Sequence, residues 1–340
     1  MSEKLNQPFK AQTRIEWLDI AKGLGVLLVV LGHLWYNCSF SIVNQIIYTF
    51  HMPMFFILSG FVFKKGDSKF SSFVVTKSKR LLLPTLIFFV LGVAFLLLLS
   101  SNESFASISR KFFFIDGLCP YNDPCWYFIT LFQLVIVSYF LNLDKSTYLL
   151  KIFIIVITFI LGLIIYEFEI CIPFGINRTI IAMVFFTFGS LLGQANREGK
   201  KIQKTYLKFL TIIGCIGLWL LCGIFLNKKI SFYRMNLGNY FFFMIASICG
   251  SILFVGLCKL LQKTKFKGFL IKTAHNSILI IGTHYFLIFI FEVVARRLNL
   301  FKTCPYCLLV VCFTIFIALI YNFIGPFLNK CFPAITGNMK

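Results

Sequence analysis

The sequence predicts an all-α integral membrane protein, a bundle of about ten transmembrane helices with both termini in the cytoplasm. Three observations carry that expectation. Apolar side chains make up 59% of the 340 residues and charged ones 13%, against roughly 45–50% and 25% in soluble domains. The apolar residues form continuous runs long enough to cross a bilayer, which takes about 20 residues each. Basic residues collect in alternate connections between those runs, as they do on the cytoplasmic side of membrane proteins.

In chain order the runs are Trp17–Trp35, Val43–Phe63, Leu81–Leu99, Cys125–Leu143, Tyr148–Tyr166, Ile176–Gln194, Leu207–Leu226, Asn239–Cys258, Ser277–Ala295 and Leu308–Leu328. With the N-terminus inside, the cytoplasmic segments hold 23 of the 33 Lys and Arg residues, among them Lys64, Lys65, Lys77, Lys79, Arg80, Lys200, Lys263 and Lys330. The outer segments hold 9, and Lys22 falls within the first span. The division is a cytoplasmic segment over 1–16, a membrane domain over 17–328 and a cytoplasmic tail over 329–340. No stretch is long and polar enough for a second folded domain.

This pattern excludes several classes. Transmembrane strands would alternate apolar and polar residues in short segments. The net charge of +21 would suggest nucleic acid in a soluble protein, but here positive-inside loops account for it. The first span begins after a polar stretch and lacks a small-residue cleavage site, so it reads as a retained helix and not a signal peptide. No internal repeat is visible, which disfavours transporters built on inverted repeats.

Five of the twelve cysteines, Cys215, Cys222, Cys249, Cys258 and Cys312, lie within spans and read as small apolar packing residues. Cys119 with Cys125, and Cys304 with Cys307, flank outer segments, where either an outer disulfide or inert thiols would fit. No metal site is expected, since His and Cys never combine at a zinc-like spacing. The outer loop from Ser100 to Asn122, with Asp116 and the adjoining Asp123, is the longest exterior segment.

Chemistry must come from polar groups held at membrane depth, which are costly there. His33 falls in the outer half of the first span, His51 near the middle of the second and His284 near the centre of the ninth, so the three suggest a polar cavity between helices. His275 points away from the face shared by Ser277 and His284. Lys22 and His33 are eleven residues apart, about three turns, so they share one helix face about 16 Å apart along the axis. The plainer reading has Lys22 reaching to the inner interface and each His bonding a neighbouring helix. In the second span Pro53 frees a backbone carbonyl, which His51 is placed to satisfy. The segment Lys77-Ser78-Lys79-Arg80 suits phosphates, and equally a positive-inside stop signal.

Trp17-Leu18-Asp19-Ile20-Ala21-Lys22-Gly23 followed by His33, then HMPMFFILSGF from His51 and RLLLP from Arg80, resembles the acyltransferase-3 family of integral membrane acyltransferases. The likeness continues through Trp126-Tyr127-Phe128, the Phe-rich stretch from Phe185 to Gly193, and Asn276-Ser277 with His284. It is greatest to the branch of fucose 4-O-acetylase-like sugar O-acetyltransferases. The resemblance implies a ten-helix enzyme of the bacterial cytoplasmic membrane that passes acetyl from cytoplasmic acetyl-CoA to a sugar hydroxyl of an envelope glycan, whether O-antigen, capsule or exopolysaccharide. The family's basic residue ten positions before a His maps onto Lys22 and His33, and its paired-Arg motif onto Lys77 and Arg80, with Lys replacing one Arg in each.

The residues agree with that reading on their own chemistry. His33 is the candidate base, since imidazole titrates near neutral pH. His51, Ser59, Asn276 and His284 are candidate donors to the tetrahedral oxyanion. Lys22, Lys77 and Arg80 are candidates to hold the CoA phosphates. No permanently bound cofactor is expected; the partners are acetyl-CoA, a glycan or lipid-linked sugar acceptor and membrane lipid. A glycolipid or acyl-carrier transporter with a histidine proton relay is the competing reading, disfavoured because Asp and Glu stay near the span ends.

Overall fold

A computed structural model describes residues 15–38, 41–99, 104–115, 119–120, 122–200, 205–228, 230–301 and 303–338. Lys4, Lys10, Arg14, Asp116, Lys201, Lys204, Lys229, Lys302 and Lys340 lie outside the described residues, as does the side chain of Cys304. The helices are α1 (Glu16–Leu34), α2 (Ser41–Tyr48), α3 (His51–Val62), α4 (Phe70–Lys77), α5 (Leu83–Leu98), α6 (Phe105–Arg110), α7 (Trp126–Phe140) and α8 (Tyr148–Glu167). They continue with α9 (Ile176–Arg197), α10 (Thr205–Leu220), α11 (Tyr240–Leu261), α12 (Lys267–His275), α13 (Ser277–Arg297), α14 (Cys304–Cys331) and α15 (Pro333–Thr336).

Among the described residues, ten stretches of helix are long and apolar enough to cross a membrane. They coincide with the ten runs in the sequence. The largest difference is the third, which covers Phe70–Leu98 because α4 runs on into α5 through a π-helical turn at Ser78–Leu82. The hydropathy of that first part is too low to announce a span, since lysines interrupt it. One end of the bundle gathers Lys64, Lys145, Lys200, Lys263 and Lys330 and is called the basic end below.

Helix α1 is the central strut, packed against α3, α11, α12, α13 and α14. Its buried face includes Ile20, Ala21, Val26, Val30 and Leu34. The tightest pairing is α3 against α9. A β-carbon on Gly60 would stand 1.9 Å from the Phe186 carbonyl oxygen, and one on Gly189 would stand 2.0 Å from that of Ile57. Hydrophobic driving force between helices is weak in lipid, so such small-residue approaches supply the packing. The outward faces of α8 and α10 present Leu149, Phe153, Leu161, Phe209 and Ile213, as lipid contact requires.

Two features differ from the sequence reading. The second span is broken at Thr49-Phe50, so Pro53 lies in the first turn of α3, where its missing N–H costs little. His51 does not satisfy the carbonyl freed by Pro53. Its Nδ1 donates instead to the Ile47 oxygen at 2.9 Å, while the Thr49 carbonyl accepts from Ser247 Oγ at 2.7 Å. Trp219 Nε1 donates to the Thr49 hydroxyl at 3.0 Å, completing the break.

The second departure is the end of the loop expected to be exterior. Cys119, Asn122 and Cys125 are fully buried. The Asn122 amide donates to the Gly282 carbonyl, two residues before His284, and Cys119 Sγ contacts the Thr85 carbonyl at 3.7 Å. A polar hairpin is admissible at this depth because protein encloses it. Cys119 and Cys125 are free thiols. Cys215, Cys222, Cys249 and Cys258 pack inside the bundle, and Cys312 is exposed on α14.

Candidate active site

Away from the basic end, α1, the α2–α3 break and α13 bring His33, His51 and His284 into one group of packed rings, called the histidine chamber below. The His33 and His284 ring centroids are 5.5 Å apart. Tyr48, the last residue of α2, lies between His33 and His51, with its ring 6.4 Å and 4.9 Å from theirs. Tyr285 lies against His33 at 4.9 Å. The Tyr285 hydroxyl is 3.0 Å from His33 Nδ1 and the Tyr48 hydroxyl 3.4 Å. Neither tyrosine stands out in the sequence, because aromatic residues are common in spans and at their ends.

Hydrogen bonding fixes the proton positions of two rings. A carbonyl oxygen only accepts, so His51 Nδ1 carries the hydrogen it gives to Ile47, and Nε2 keeps a lone pair while the ring is neutral. His284 Nδ1 likewise donates to the Ile280 and Ile281 oxygens at 2.9 and 3.1 Å. His284 is fully buried, and its Nε2 has no hydrogen-bond partner among the described residues. Neutral His51 and His284 therefore carry acceptors at Nε2, not donors. The hydroxyls of Tyr48 and Tyr285 are the donors beside His33.

The other expected residues lie elsewhere. Ser59 is eight residues past His51, about 12 Å along α3, and its hydroxyl is 3.5 Å from that of Tyr127. Asn276 sits at the junction of α12 and α13. Its amide donates to the Lys272 carbonyl at 3.1 Å and to the Asn322 side chain at 3.3 Å, and its own oxygen faces Asn329 at 3.5 Å. It fastens α12 and α13 to α14, at the opposite end of α1 from His33.

There, at the basic end, a cavity of about 610 Å³ opens, lined by Asp19, Lys22, Lys272, His275, Asn276 and Asn322 among others. Lys22 thus reaches this cavity and His33 the group of histidine and tyrosine rings, on one face of one helix. His275 lines the Lys22 cavity, and so does Ser277, which the helix count places on the His284 face. Lys77 precedes the π-helical turn at this end and Arg80 lies within it. The Lys77 ammonium lies 5.2 Å from the Phe73 ring centroid, and the Arg80 main chain lies against Gly337, next to the Thr336 that lines the cavity. Neither basic side chain lines the cavity itself.

No curated protein and no solved structure matches the chain. A family model described as an acyltransferase domain matches residues 15–322, from the start of α1 into α14, and includes the key residues of the Lys22 cavity and the histidine chamber from Lys22 to Asn322. With so much of its length matched, this chain belongs to the acyltransferase-3 family, as a multi-pass membrane protein with acyltransferase activity.

Proposed function

We propose that the protein moves acetyl from cytoplasmic acetyl-CoA to a sugar hydroxyl of an envelope glycan, at the outer side of the bacterial cytoplasmic membrane. The observation that carries this reading is the pairing of Lys22 and His33 at two ends of one helix face, each beside its own polar groups. The basic end faces the cytoplasm by the charge rule. Lys22 there meets the CoA phosphates, with Lys77 and Arg80 adding positive charge at the rim. The extended pantetheine arm carries the thioester along the roughly 16 Å of α1 to the histidine chamber.

In the chamber, His33 donates Nδ1–H to the Tyr285 oxygen and takes the acceptor hydroxyl proton on Nε2. The acceptor oxygen then attacks the thioester carbon. The oxyanion formed accepts O–H from Tyr285 and Tyr48, donors held in place before charge develops. Collapse breaks the carbon–sulfur bond, and the departing thiolate takes the proton back from His33. His284 Nε2 offers a second resting place for that proton, and the water-poor surroundings protect the thioester from hydrolysis.

The test uses purified protein in lipid vesicles with acetyl-labelled CoA on the basic side and host envelope polysaccharide on the other. Label appearing on the polysaccharide, with one free CoA thiol per acetyl moved, supports the reading. Movement of intact glycolipid without acetylation would instead favour the transporter.

A further inference from the structure

At the His33 end, a second cavity of about 960 Å³ lies between the ends of α8 and α9 and the 230–239 segment. Its wall is rigidly built. Arg178 is 3% exposed, with its guanidinium 5.5 Å from the Trp126 ring centroid and 5.9 Å from that of Tyr233. It also donates to the Tyr233 carbonyl at 3.3 Å. The buried Asn227 side chain accepts from the Lys228 and Asn239 amides at 3.0 Å and donates to the Leu237 carbonyl at 2.9 Å. Tyr166 donates to the Gly238 carbonyl at 2.6 Å. The loop is therefore held by side chains at several points.

The lining combines aromatic faces, from Tyr166 and Tyr233, with donors and acceptors of both kinds, from Asn177, Arg178, Arg234 and Asn236. Glu167 and Glu169 add carboxylates, and Ile165, Ile170, Cys171 and Met235 add apolar surface. A sugar ring has apolar C–H faces and hydroxyls that both donate and accept, and this lining meets both needs. The two carboxylates offset the guanidinium groups of Arg178 and Arg234, so the lining carries no net positive charge for coenzyme phosphates, and its donors and acceptors would go unmatched against an acyl chain. The same loop also borders the histidine chamber. Tyr233 hydrogen-bonds Asp123, and the adjoining Asn122 donates to the Gly282 carbonyl on α13, two residues before His284.

We propose that this cavity docks the acceptor glycan, holding the sugars next to the one being acylated, with Tyr233 and Arg234 as the partition to the histidine chamber. The proposal rests on the transfer reading for its choice of ligand, and its test is direct binding without turnover. Protein in nanodiscs is immobilised and host envelope polysaccharide is passed over it, for wild type, Asn177→Ala, Asn236→Ala, Asn236→Trp and Phe209→Ala. Each Asn→Ala change should weaken glycan binding by about tenfold, the effect of one hydrogen-bonding group. Asn236→Trp should abolish binding by filling the cavity, and Phe209→Ala, on the outward face of α10, should leave it unchanged. Glycan affinity equal in all variants, or no binding by any of them, overturns the proposal. Selective loss in the cavity variants supports the docking site even if acetyl-CoA then yields no transfer, an outcome that would sink the transfer reading alone. In the turnover assay, supporting results are a raised KM for glycan with unchanged kcat and unchanged KM for acetyl-CoA. A raised KM for acetyl-CoA would overturn the proposal by assigning the cavity to the donor.

Discussion

Replacing Tyr285 with Phe removes one oxygen atom and keeps the ring that packs against His33 and His284. That oxygen is 3.0 Å from His33 Nδ1, whereas the Tyr48 oxygen is 3.4 Å away. In the proposed mechanism the substitution takes away an oxyanion donor and leaves His33 Nδ1–H without its nearer acceptor. Loss of one preorganised donor costs about 10²–10³ in kcat, or about 2.7–4 kcal/mol in the barrier. Tyr48→Phe should cost less, because its contact is longer. KM for acetyl-CoA should hardly move in either variant, since the Lys22 cavity lies about 16 Å away. The assay is CoA thiol release by nanodisc-embedded protein at saturating glycan, with His33→Ala and the double variant alongside. Residues that act as a unit show grossly non-additive losses, so the double variant should be scarcely slower than His33→Ala. Unchanged kcat in Tyr285→Phe, or fully additive losses, would refute the shared role of Tyr285 and His33.

Three further outcomes follow from the fold and its orientation. Gly189→Ala places a β-carbon 2.0 Å from the Ile57 oxygen, so α3 and α9 must separate; overpacking of this kind costs about 1–3 kcal/mol, read as a lower thermal midpoint in detergent, and an unchanged midpoint would contradict the close approach. A membrane-impermeant maleimide applied to intact cells should label the exposed Cys171, at the end opposite the basic one, and reach the exposed Cys331 only after permeabilisation; the reverse order would invert the orientation. Glu198 is held down to about 2 by hydrogen bonds from Lys200, Tyr148 and Gln194, so its stabilisation is complete above the ordinary carboxylate range and fades as pH falls through about 2. Wild type and Glu198→Gln should differ slightly in thermal midpoint at neutral pH, as suits an exposed pair, and converge in strong acid; a difference that grows on acidification would contradict the pairing.

The ten spans were legible because continuous apolar runs are a one-dimensional signal that the bilayer imposes directly. Lys22 and His33 were legible for the same kind of reason, since helical periodicity alone puts them on one face. The gathering of His33, His51 and His284 followed from the cost of polar groups at membrane depth. What the sequence concealed depends on contacts between distant segments. Asn122 reads as part of a polar exterior loop, and only its bond to Gly282 shows that the hairpin folds into the bundle. Pro53 reads as a mid-span kink because the break at Thr49-Phe50, sealed by Ser247 and Trp219, has no local sequence mark. Asn276 is close in sequence to His284 but one helix end away from the chamber. Tyr48 and Tyr285 are two of 13 tyrosines, and nothing but the fold singles them out.

The central claim is tested most directly by mass spectrometry of the host's envelope glycans from cells with the intact protein, with His33→Ala at matched expression, and with no protein. The account expects sugars heavier by one acetyl only where the intact protein is present. Identical glycan masses in all three, with less surface glycan when the protein is absent, would contradict it and favour transport.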